Sequence, residues 1–234
     1  LSKTSLHEYL IKRISNIIFG DDRVIFDDVE KHSQLLIDSA IAADVLGIPE
    51  RGFVRRRLAV EDAKIGSVDA RSVVGSYAAV KLIHNLKLLG QLEGKYTTSP
   101  WIARNLKNLY PKIISKFEKV FVISGNPGLS MKLKKAFNHL SVFQIDIPTQ
   151  RAAISDVAKR HWPTCYLQVL RQIEEVEGYC LFLIGAGCLG NSYCTHAKKN
   201  GHVAIDIGHV ADLWDGTKEN ASKFTPKVLS EWAL

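Results

Sequence analysis

The segment Leu181-Phe182-Leu183-Ile184 runs directly into Gly185-Ala186-Gly187-Cys188-Leu189-Gly190, and this junction constrains the fold more than any other feature of the chain. A short apolar run bounded by glycines reads as a strand buried on both faces, as in a parallel sheet. Glycine permits the tight turn that follows and lets backbone approach a ligand closely. A helix starting at about Asn191 would present unpaired N–H groups and a positive dipole end to a phosphate. Asp206 lies 21 positions after Gly185, at the end of the next strand candidate, His202 to Ile207. That is the spacing of the ribose-binding acid in dinucleotide folds. Gly185, Gly187, Gly190 and Asn191 are therefore candidate cradle residues for a phosphate or nucleotide. The same pattern also describes glycines that only let a helix pack close to a strand, and one fingerprint does not separate the two.

A full dinucleotide fold needs two mononucleotide-binding halves. Residues 207–234 contain no further strand–helix–strand unit. Upstream strands would have to supply the second half in an unusual order. The turn is accordingly read as a nucleotide cradle, with no NAD expected.

Upstream, the pattern alternates. Lys119 to Ser124 reads as a strand, Gly125-Asn126-Pro127-Gly128 as a turn, and Leu129 to Phe137 as a helix. A strand from Val142 to Ile147, a helix from Pro163 to Val176 and a strand from Tyr179 to Ile184 follow. Strand–helix alternation implies right-handed crossovers and a mostly parallel α/β sheet with helices on both faces. The N-terminal half is richer in helix: Ser5 to Ile14, Ser33 to Leu46 capped by Ser33, Ser72 to Leu89, and Trp101 to Phe117 interrupted by Pro111. Residues 50–71 resist assignment. No linker divides the chain, so residues 1–234 are expected to form one domain, which could have been cut from a longer protein.

Candidate chemistry collects in three further places. Asp206-Ile207-Gly208-His209 continues to Asp212, Trp214 and Gly216 just past a strand end, where open α/β sheets bind ligands. There Asp206 and His209 could bond sugar or ribose hydroxyls, and His209 could carry a proton. The alternative is a His209 that caps a helix beside a solvated Asp212. His161-Trp162-Pro163 opens a helix, and His161 either reaches the same rim or is a structural histidine. Near the N-terminus, Asp21 and Asp22 follow Gly20 in a turn after the strand candidate Ile14 to Phe19. Paired carboxylates can hold Mg²⁺ or Mn²⁺ against a diphosphate, although Asp-rich turns often hold no metal and Arg23 would offset the charge.

Composition removes several classes. The chain has 234 residues, 46% of them apolar, so disorder is not its main state. No uninterrupted apolar stretch is long enough to span a membrane. Lys and Arg number 31 against 24 acids, a net charge of +7, clustered at Arg55-Arg56-Arg57, Lys134-Lys135 and Lys198-Lys199. Such a surface suits anionic partners or simply solvates the protein. No nucleic-acid motif accompanies it, so nucleic acid is not expected. The four cysteines form no C-x-x-C pair, which points to reduced cytosolic thiols rather than zinc or disulfides.

Taken together, these segments resemble the GT-D-fold glycosyltransferase family of bacteria. The resemblance is carried by Ile17-Ile18-Phe19-Gly20-Asp21-Asp22, Ala43-Asp44-Val45-Leu46-Gly47-Ile48-Pro49 and His161-Trp162-Pro163. It is densest from Leu183 through Gly187 and from Ala204 through Gly208, continuing to Asp212, Trp214 and Gly216. It implies a Rossmann-like domain that moves a sugar from a nucleotide diphosphate donor to a surface-glycan or lipid-linked acceptor. It further implies a cytoplasmic protein, with basic clusters available for peripheral contact with the inner membrane face. Family members carry an R-F-G-D-G-E turn whose acids serve metal and diphosphate. Here Asp21 keeps the first acid, while Arg23 replaces the second and Ile18 the leading Arg. Arg23 could itself neutralise a diphosphate and make a divalent cation unnecessary, or the domain could have lost activity. Under the active reading, Asp21, Asp206 and His209 carry the chemistry. Gly20, Asp22, Arg23, His161, Gly185, Gly187, Gly190, Asn191 and Gly208 then bind the donor. The alternatives are a non-catalytic transferase-like module and an NAD(P)-dependent oxidoreductase.

Overall fold

The computed structural model describes residues 28–49, 70–148 and 160–216, together with Gly52. The expected helix at Ser5 to Ile14, the strand at Ile14 to Phe19 and the turn Gly20-Asp21-Asp22-Arg23 lie outside the described residues. Among those described, the chain forms two compact units, one up to Ile102 and one from Ala103 onward. No described helix is long and apolar enough to cross a membrane.

The first unit contains helix α1 (Val29–Ala42), strand β1 (Val45–Gly47), helix α2 (Ala70–Leu88) and strand β2 (Tyr96–Thr98). The expected helix over Ser33 to Leu46 is shifted four residues toward the N-terminus at the same length. Asp28 occupies the cap position, and Ala43 turns to extended backbone with ψ 138°. Val45 to Gly47 then pairs in parallel with Tyr96 to Thr98. This pairing captures Val45 and Leu46 from the helix, an instance of tertiary context overriding local propensity. At Gly47 an added Cβ would lie 3.1 Å from the Ser99 carbonyl, a tight approach that glycine relieves.

Past α3 (Ile102–Asn105), the second unit builds one four-stranded sheet. Its elements are α4 (Tyr110–Ile114), β3 (Lys119–Ser124), α5 (Leu129–Ala136), β4 (Ser141–Asp146), α6 (Tyr166–Glu174), β5 (Leu181–Gly185), α7 (Gly190–Lys199), β6 (Val203–Asp206) and α8 (Val210–Asp215). Pro111 occupies the first turn of α4 and starts that helix rather than interrupting a longer one. The strands lie in the order β4-β3-β5-β6 and every pairing is parallel. This is the Rossmann-like α/β architecture that the alternation predicts.

Burial follows the pleat. Leu181, Phe182, Leu183 and Ile184 of β5 are all fully buried, as a central parallel strand requires. Val120, Val122, Leu181 and Leu183 face one layer, a cluster with Tyr110 and Ile114 of α4, Leu129 and Leu133 of α5, and Leu213 and Trp214 of α8. Tyr110 and Trp214 meet edge to face at 4.8 Å, and the Tyr110 hydroxyl donates to the Ala103 carbonyl at 2.9 Å. Each such aliphatic side chain contributes about 1.5–3 kcal/mol by leaving water.

The opposite face presents a phenylalanine ladder. Phe121 stacks between Phe143 and Phe182 at 5.0 and 5.1 Å. Helix α7 covers β5 and β6, and α6 packs on α7. Tyr166, Val169 and Ile173 form the buried stripe of α6, at the spacing of an amphipathic helix.

Candidate functional site

From β3 the chain crosses to β4 on one side; from β5 it crosses to β6 on the other. The loops that leave β3 and β5 therefore diverge from two adjacent, parallel strands. The carboxyl edge between such strands is the place where open α/β sheets bind ligands. Among the described residues, three loops reach this edge: Gly125 to Gly128 after β3, Ala186 to Leu189 after β5, and Ile207 to His209 after β6.

The three glycines of the fingerprint have different local reasons. A Cβ on Gly185 would lie 2.7 Å from the Ala211 side chain, so this glycine lets α8 close on the strand end. Gly187 adopts φ +58°, a left-handed turn into the short 3-10 segment Gly187–Leu189 that precedes α7. Gly190 opens α7, one residue earlier than the periodicity predicts, and a Cβ there would sit 2.9 Å from Asp206 Oδ2. Asn191 is exposed in the first turn of the same helix, and its carbonyl accepts the Thr195 hydroxyl at 3.0 Å.

Asp206 thus ends β6 with its carboxyl lodged against Gly190. Its Oδ1 accepts the Gly208 N–H at 3.0 Å, and Gly208 makes that turn at φ +46°. Burial pushes the carboxyl up to about 6; the Gly208 N–H and the nearby His209 only partly oppose it. Its negative charge adds to the burial that raises the Cys194 thiol and pushes the Cys188 thiol up to about 12. All four cysteines are free, and the raised values of these two disfavour the thiolate form at neutral pH.

His209 stands at the start of α8, two-thirds exposed, with Nδ1 3.2 Å from Asp212 Oδ2. His209 occupies the cap position of α8 without a side-chain cap bond, and Asp212 faces its ring rather than water. Asp212 Oδ1 accepts from the Asn126 side-chain amide at 3.2 Å. Asn126 is itself held: its N–H donates to Ser124 Oγ at 3.1 Å, and its carbonyl accepts from Gln144 Nε2 at 3.0 Å. Gln144 also donates to Asp146 at 2.7 Å and accepts the Ser130 N–H at 3.2 Å. A continuous polar chain therefore runs along the carboxyl edge from β4 through the β3 turn to α8. Ser124, Asn126 and Gln144 escaped the sequence reading. The Gly125-Asn126-Pro127-Gly128 turn was its one visible signal.

His161 is enclosed. Its Nε2 lies 2.9 Å from the Tyr193 hydroxyl, the rings stack at 5.9 Å, and burial lowers the imidazole to about 4. Beside it the Tyr166 and Ser192 hydroxyls bond at 2.6 Å, fastening α6 to α7. Gly20, Asp21, Asp22 and Arg23 lie outside the described residues. Among the described residues, no three His, Cys, Asp or Glu side chains gather in a metal-holding group.

No protein-family model, curated protein or solved structure matches this chain. The fold class rests on the sheet itself: a Rossmann-like α/β unit with a glycine turn and an acid-bearing strand end at one edge.

Proposed function

We propose that the chain is a glycosyltransferase that moves a sugar from a nucleotide diphosphate donor to a hydroxyl of a surface-glycan or lipid-linked acceptor. The observation that supports this reading best is the convergence of the Gly185–Gly190 turn, Asp206 and His209 at one sheet edge beside the β3–β5 divergence. In this reading the backbone around Gly187 and the first turn of α7 face the diphosphate, whose developing charge such N–H groups stabilise. Asp206 accepts from donor hydroxyls, and His209 takes a proton from the acceptor. By the family resemblance Asp21, Asp22 and Arg23, which lie outside the described residues, would serve the diphosphate, with Mn²⁺ or Mg²⁺ or with the Arg23 cation in its place. The site works at the cytoplasmic face of the membrane, where lipid-linked acceptors lie.

Titration calorimetry with UDP, GDP and dTDP, each with and without Mn²⁺, tests the reading. Saturable binding of one diphosphate, weakened in Asp206→Ala, is the expected result. No heat from any of them overturns it.

One observation favours a second reading. In space the strands run β6-β5-β3-β4, so the glycine-turn strand separates its own βαβ partner from a second βαβ pair, as in dinucleotide folds. An NAD(P)-dependent oxidoreductase would enhance NADH fluorescence on binding and ignore the pyrimidine and guanine diphosphates. The replacement of an acid by Arg23 motivates a third, a non-catalytic transferase-like module. Donor hydrolysis by the wild type that disappears in Asp21→Ala excludes it.

A further inference from the structure

His209 and Asp212 differ from an ordinary surface pair in how the carboxylate is held. Asp212 engages His209 through Oδ2 and Asn126 through Oδ1. Asn126 is 8% exposed, and its backbone is fixed by Ser124 at the end of β3 and by Gln144 from β4. Asp212 cannot swing toward water without giving up the Asn126 amide. An ionised carboxylate only accepts hydrogen bonds, so the ring nitrogen facing it must carry the proton. The proton of a neutral imidazole then lies on Nδ1, and Nε2 is left with its lone pair on a ring that is two-thirds exposed.

We propose that Asp212, anchored by Asn126, is a positioning residue that locks neutral His209 in the Nδ1–H form, so that Nε2 receives the proton of the acceptor hydroxyl. This rests on the glycosyl-transfer reading. In the step it serves, the hydroxyl proton passes to Nε2 while the oxygen forms a bond to the anomeric carbon. The bond from that carbon to the diphosphate oxygen breaks, and the diphosphate leaves with the electron pair. Asp212 and Asn126 touch no substrate; their effect is to keep one lone pair available and aimed.

The test is the ring itself. Long-range proton–nitrogen correlation NMR on protein with ¹⁵N-labelled histidine, recorded where His209 is neutral and assigned with His209→Gln, reads the tautomer directly. The wild type is expected in the Nδ1–H form. Asp212→Asn, whose amide can donate to Nδ1, is expected to shift it to Nε2–H. Asn126→Ala, which leaves the carboxylate in place but removes the amide from its Oδ1, is expected to give a mixture and serves if the first variant fails to fold. An Nε2–H wild type, or a tautomer indifferent to both substitutions, overturns the proposal. In a transfer assay Asp212→Asn is expected to lower kcat by about 10²-fold with KM unchanged; a loss expressed only in KM overturns it as well. Absence of any nucleotide diphosphate binding would remove the glycosyl-transfer reading, whereas the tautomer result would still stand or fall by its own spectrum.

Discussion

The Asp206 carboxyl fills the space that a side chain at position 190 would need: Oδ2 lies 2.9 Å from the Cβ that an alanine would add to Gly190. The third glycine of the fingerprint is therefore fixed by the acid, and the helix start and the strand end form one unit. Gly190→Ala is expected to cost about 1–3 kcal/mol by overpacking, despite the better helix propensity of alanine. The cost should fall in the double variant Gly190→Ala/Asp206→Ala. Chemical denaturation of the four-member cycle measures the coupling, and strict additivity would contradict the contact.

The first glycine makes a separate prediction. Gly185→Ala would set two Cβ atoms 2.7 Å apart, against Ala211. A loss of about 1–3 kcal/mol is expected. Combining it with Ala211→Gly should recover most of that loss, which thermal melts can read.

Asp206 should make the folded protein less stable at neutral and alkaline pH. Its folded-state carboxyl titrates at about 6, above the 3.8 of an unperturbed aspartate, so the folded state holds the proton more tightly. The stabilisation from that proton is complete below the unfolded value and is lost as pH rises through 6. Asp206→Asn, whose amide oxygen can still accept the Gly208 N–H, should therefore stabilise the protein by about 2–3 kcal/mol at pH 8 and by almost nothing below about pH 4. Melting temperatures of both proteins across this range check the sign and the window. An equal shift at every pH would refute it.

His161 slopes the other way. Burial lowers it from 6.5 to about 4, so the folded state refuses a proton that the unfolded chain accepts. Stability from the neutral ring is present above 6.5 and is lost as pH falls toward 4, by up to about 3 kcal/mol. His161→Gln can keep a hydrogen bond to Tyr193 and does not titrate. Subtracting its denaturation curve from that of the wild type at several pH values isolates the contribution.

Much of the second unit could be read from local pattern. Leu181 to Ile184 is buried on both faces because four apolar residues in a row leave no polar face to expose, and the Asp206 spacing follows from one helix and one strand of ordinary length. The short strand Val45–Gly47 was hidden because its stability lies in pairing with Tyr96–Thr98, far along the chain. The partnership of Asn126 with Asp212 joins positions 86 residues apart and depends on β3 lying beside β5, an order that no local pattern encodes. Gly190 was legible as a glycine of the fingerprint, but its reason, the carboxyl lodged against it, belongs to three-dimensional packing.

The divergence of the loops after β3 and β5 has a consequence for how such an edge can change. Its two walls are supplied by successive βαβ units, each closed by its own crossover. Substitutions in the Gly125–Gly128 wall that spare its contacts with α8 can alter that side of the edge without disturbing the packing of Gly185 on Ala211. In an edge built this way, one wall can change the groups it presents while the other keeps its own packing.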